Sequence, residues 1–102
     1  MRARVLALAL PALVAALPAF GEEWSHTRIN RLPDSAFAVV EISEDGKKVR
    51  HLPHHDEQGD LDLPHLRSAL SRLGQVHWLR PESAAAARRH LEEHRQALRF
   101  PP

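Results

Sequence analysis

Three histidines and three aspartates crowd the stretch RHLPHHDEQGDLDL between Arg50 and Leu63. His51, His54, His55 and Asp56 make H-x-x-H-H-D, and Asp60 and Asp62 follow. Imidazole nitrogens and carboxylate oxygens are ligands that zinc and copper accept, and several within a few residues can converge on one ion. The spacing is no recognised zinc signature, so the same residues also read as turn chemistry. In that reading His51 lies on a strand, His54 and His55 bond the turn backbone, and the aspartates close turns or cap a helix. A third use is a contact surface for a protein partner, built on His51, His54, His55, Asp56 and Asp60. The acids Asp56, Glu57, Asp60 and Asp62 around Gly59 lack the D-x-D-x-D-G spacing and the distal glutamate of a calcium loop.

A second pair of histidines stands in His90-Leu91-Glu92-Glu93-His94, which matches the H-x-x-E-H pattern of inverted zinc metalloproteases. Such enzymes need a third ligand further along and a large cleft, and only eight residues follow His94. No catalytic residue is therefore expected, and a zinc hydrolase on His90, Glu93 and His94 ranks last. The pair can instead join the loop in a non-catalytic zinc or copper site of His54, His55, Asp56, His90 and His94. Without a metal, His94 falls on the apolar line between Leu91 and Leu98 and reads as a half-buried structural residue. Arg88, Arg89, Arg95 and Arg99 are interleaved with Glu92 and Glu93 at pairing distances, the pattern of an ion-paired helix surface. There is no glycine-rich phosphate loop, no nucleophile elbow and no cysteine.

The elements that must position these residues follow from the local pattern. Ala36 to Ile42 is rich in β-branched and aromatic residues and predicts a strand over 36–42. Asp45-Gly46 is turn chemistry, and alternation over Lys48 to Leu52 predicts a second strand over 47–52, stopping at or before Pro53. After the loop the period changes. Leu66, Leu70 and Leu73 predict an amphipathic helix over 63–74, capped by Asp62 or Asp60, with Pro64 in its first turn and Gly74 at its stop. Pro81 and Glu82 open a last helix over 81–98, with an apolar line at Ala84, Ala87, Leu91 and Leu98. The expected fold is a small single α+β domain, a β-hairpin packed on an antiparallel helical hairpin, with the histidine loop at their junction. Residues 22–35 read as an irregular, extended lead-in whose Trp24 and Ile29 cap the core.

Residues 1–21 have the basic, apolar and small-residue order of a secretory signal peptide: Arg2 and Arg4, then Val5 to Leu17, then Ala19-Phe20-Gly21. The apolar run falls short of the ~20 residues of a membrane-spanning helix. Export to a periplasm or the cell exterior is expected, with no stable span after cleavage. Cleavage removes two arginines and no acid, changing the net charge from +1 to −1, so the strongly basic field of a nucleic-acid binder is missing. All eight histidines follow the cleavage site, so charge depends steeply on pH. With no disulfide available, one modest core must carry a stability on the order of 3–5 kcal/mol.

From Leu32 onward the chain resembles a small domain of unknown function associated with phage and prophage proteins, including stretches that accompany head-maturation proteases. The residues carrying the likeness are Leu32 to Ala38, then Arg50-His51-Leu52-Pro53-His54-His55-Asp56 with Gly59, then Leu63 to Leu70 with Gln75, and His90 to His94. The resemblance implies a compact, non-catalytic accessory module, and it carries no functional residue with it. The signal peptide departs from it, because phage head proteins assemble in the cytoplasm. Together these readings give an exported binding or structural module with the 50–63 loop as its working surface, or alternatively a divalent-metal protein.

Overall fold

The computed structural model describes residues 23–99. The expected signal peptide lies outside them, as do the three C-terminal residues. The described chain opens with a short helix, α1 (His26–Arg31), which corrects the expected extended lead-in. Six residues are too few for a helical period to show in the sequence, and the helix is held by polar contacts at both ends. The Ser25 hydroxyl accepts from the Arg28 N–H at 3.1 Å. At the other end Arg50 donates to the carbonyls of Ile29 (3.0 Å), Asn30 (3.3 Å) and Leu32 (2.6 Å). The last carbonyls of a helix have no internal partners, and a cation there also complements the helix dipole.

A 3-10 turn at Asp34–Ala36 leads into β1 (Phe37–Ile42), which pairs antiparallel with β2 (Lys48–Pro53). The register sets Phe37 opposite Pro53, Val39 opposite His51 and Glu41 opposite Val49. Gly46 takes a φ of +84° in the connecting turn, where a side chain would be strained. Beyond the histidine loop, α2 (Leu63–Arg72) is capped by Asp62, which accepts from the His65 N–H at 3.1 Å. The helix stops at Arg72, two residues before the expected end at Gly74. The chain tightens into a 3-10 turn over Leu73–Gln75 before it reaches α3 (Pro81–Leu98). That last helix ends on Arg99, whose left-handed φ of +58° lets its N–H return to the Gln96 carbonyl.

The two longer helices meet through Leu66 and Ala69 of α2, with Leu73 of the following turn, on one side and Ala87 and Leu91 on the other. Leu66 and Leu91 are fully buried, each contributing roughly 2–3 kcal/mol of apolar transfer. On α3 the buried positions are Ser83, Ala87 and Leu91, four residues apart, whereas Leu98, expected in this line, is exposed. A second cluster, Leu32, Ala36 and Phe37 with Trp24, Ile29 and Val40, fixes α1 to the hairpin.

Glu41 joins hairpin to helix. Its side chain is fully buried, and one carboxylate oxygen accepts from the Leu79 N–H at 3.0 Å and His51 Nε2 at 2.8 Å. The other accepts from the Arg80 N–H at 2.9 Å. Burial alone would push this carboxyl pKa up. The Leu79 N–H, the Ser83 hydroxyl, His51 and the Arg80 N–H outweigh burial and hold it at about 2. A carboxylate at this place also faces the positive end of the α3 dipole.

Candidate metal centre

The loop between β2 and α2 takes its shape from its own backbone bonds. The N–H groups of His54 and His55 both donate to the Ala36 carbonyl, at 2.8 and 3.3 Å, and the Asp62 N–H returns to the His54 carbonyl at 2.8 Å. Asp56 closes the inner turn, its Oδ1 accepting from the Gln58 and Asp60 N–H groups at 2.9 Å each. The turn closes at Gly59, with a φ of +86°. At the other side of the histidines, Leu52 takes a φ of +61°, a left-handed conformation costing a leucine on the order of 1–2 kcal/mol.

These two left-handed residues do the same thing for successive histidines. The Leu52 carbonyl lies 3.0 Å from His54 Nδ1, and the Gly59 carbonyl lies 3.1 Å from His55 Nδ1. A carbonyl only accepts, so both Nδ1 atoms carry hydrogen. In a neutral ring that leaves a lone pair on Nε2. A backbone carbonyl at the far ring nitrogen is one of the usual outer partners of a metal-binding histidine, with carboxylates and water.

The lone pairs are aimed at α3. His54 Nε2 lies 3.1 Å from His90 Nε2, His55 Nε2 lies 3.3 Å from His94 Nε2, and His90 and His94 Nε2 lie 3.2 Å apart. The latter two come from successive turns of the helix. All four ligand atoms fall within 4.8 Å of one another, and together they could hold a metal ion. A Zn–N bond length of about 2.0–2.1 Å puts tetrahedral ligand nitrogens about 3.3–3.4 Å apart, and neighbouring corners of a square plane about 2.9 Å apart. The three contacts, at 3.1, 3.2 and 3.3 Å, fall between these two edge lengths and within reach of a shared ion.

Hydrogen counting gives a second argument. Each Nε2 has one in-plane position, holding either a hydrogen or a lone pair. With neutral rings, His90 and His94 supply at most two hydrogens to three short N···N contacts, because His54 and His55 supply none. One contact is then left repulsive, whichever tautomers are chosen. A cation at the centre satisfies all four lone pairs at once.

Electrostatics favours the ligand form. His54 is completely buried, and that burial pulls its pKa down to about 4, against the raising effect of its bond to Leu52 and with the other three histidines adding to the shift. Burial also lowers His90 and His94, opposed by the charge of Glu93. Neutral imidazole is the form that binds metal.

Of the residues singled out for metal in the sequence, His54, His55, His90 and His94 come together, and Asp56 does not join them. Its Oδ1 is committed to the turn. Of those singled out for partner contact, His51 points inward to Glu41 and tilts against Trp78, His54 is buried in the cluster, and Asp60 is exposed. The remaining loop acids do not converge. Glu57 is held by Arg28 through two bonds of 2.7 and 2.9 Å, and Asp62 pairs with His65 at 2.5 Å. The carbonyls of Leu52 and Gly59 escaped sequence reading, since backbone groups leave no residue-type signal. Gly59 is the one hint, as a glycine among turn-formers.

In comparisons with protein-family models, curated proteins and solved structures, nothing matches this chain.

Proposed function

We propose that the chain is a divalent-metal-binding protein, taking Zn²⁺ or Cu²⁺ through Nε2 of His54, His55, His90 and His94. The observation that carries this reading is the convergence of four histidine ligand atoms within 4.8 Å of one another, two of the rings oriented by backbone carbonyls. Four protein ligands fill a tetrahedral zinc shell and leave no open position to activate water, which supports a binding role rather than hydrolysis through His90, Glu93 and His94. The charge order of residues 1–21 supports an exported location.

The test is an equilibrium zinc titration of untagged protein against a competing chelator, with Cu²⁺ and Ni²⁺ run in parallel. One zinc per chain is expected, and His54→Ala and His90→Ala should each weaken binding at least about tenfold. No uptake by the wild-type protein, or uptake unchanged in both variants, would sink the reading.

A further inference from the structure

We infer that the metal is cargo, taken up and surrendered by the protein while it stays folded, and not an ion around which the domain folds. This rests on the metal-binding reading above and adds to it how the ion is exchanged. The two halves of the site are held by contacts that contain no metal. On the loop side, the His54 and His55 N–H groups share the Ala36 carbonyl and Asp56 closes the turn. A backbone bridge joins His55 to Leu61, and the Arg28–Glu57 pair ties the loop to α1. On the helix side, α3 is seated by Ala87 and Leu91 in the core and by Glu41 at its N-terminus. Removing the ion removes none of these.

The ligands also differ in exposure, and the difference defines a route. His54 is completely buried, whereas His55, His90 and His94 are only partly so. In the loaded site, one of the partly exposed α3 imidazoles can leave the ion by turning outward, a side-chain rotation that needs no unfolding. The ion then rests on the fixed loop pair and the remaining α3 imidazole, with a coordination position open on the exposed side. A competing imidazole or chelator nitrogen enters there and completes the exchange, with no net change in charge on the ion. In structural zinc domains, by contrast, the binding free energy is the folding free energy, and the metal-free chain is unfolded.

Four measurements on the full chain decide the matter. Circular dichroism and amide hydrogen exchange are recorded with chelator and then with Zn²⁺, release of Zn²⁺ to a chromogenic chelator is timed, and the global unfolding rate is obtained from urea chevrons. The metal-free protein should be folded, with the amides of His54, Asp60 and Asp62 still protected, and release should be at least about tenfold faster than global unfolding. An unfolded metal-free chain, unprotected loop amides, or release at the unfolding rate would overturn the inference while leaving zinc binding intact. Absence of zinc uptake in the equilibrium titration would remove the metal reading itself, and the inference with it.

Discussion

The buried position of His54 makes the stability of the metal-free domain a steep function of pH. Its pKa is about 4 in the folded chain and about 6.5 when unfolded. Above the unfolded value both states are neutral there, and the full contribution is present. Between 6.5 and 4 the unfolded chain binds the extra proton, so stability falls as pH falls, and below 4 the loss is complete. A shift of this size is worth about 3 kcal/mol, close to the whole stability expected of so small a domain. His90 and His94 shift the same way and add to the loss. Glu41 acts in a lower window. Its pKa is depressed from 4.5 to about 2, so its contribution is full above 4.5 and is lost towards 2. Urea unfolding of chelator-treated protein at half-unit intervals from pH 7.5 to 3.5 should therefore show most of the loss before the carboxylates titrate. A His54→Leu variant should have a much flatter profile between 6.5 and 4. A wild-type profile flat across that window, or a variant profile as steep as the wild type, would refute the reasoning.

Zinc at a hundredfold excess over Kd should add about 2.7 kcal/mol, a rise in Tm of roughly 10–20 °C, which a thermal melt reads directly and which His94→Ala should reduce. Glu41→Gln places an amide NH₂ among donors that need an acceptor, and a loss of about 2–4 kcal/mol is expected in urea unfolding; a loss below about 0.5 kcal/mol would show that the charge is dispensable. Arg50→Met removes the donors to the Ile29, Asn30 and Leu32 carbonyls, so amide exchange in α1 should accelerate at least about tenfold while the α3 amides keep their protection.

The hairpin and both longer helices were legible because each announces itself by period or punctuation: the β-branched run before Ile42, the leucines of α2, and Pro81 and Glu82 at the start of α3. α1 was not legible, because its stability comes from Ser25 and from Arg50, about twenty residues downstream. Leu98 looked like core because it continues a spacing, but the buried stripe of α3 runs through Ser83, Ala87 and Leu91. Within the site, residue type points to the four imidazoles, and equally to Asp56. Its exclusion rests on backbone N–H groups that claim its oxygen. The strain at Leu52 is invisible to any pattern, since nothing about a leucine before Pro53 signals a positive φ.

The seat of Glu41 at the start of α3 turns that helix into a ruler. At about 1.5 Å per residue, His90 and His94 lie about 15 and 21 Å along the axis from Arg80, the residue gripped at the zero mark. Ala84, Ala85, Ala86 and Ala87 lie between the mark and the scale. One alanine inserted there would advance both histidines by about 1.5 Å and swing them through about 100°. Both imidazoles would leave the loop together, though no residue of the site had been altered. The length of an unremarkable alanine run is thus as much a part of the histidine site as the histidines are.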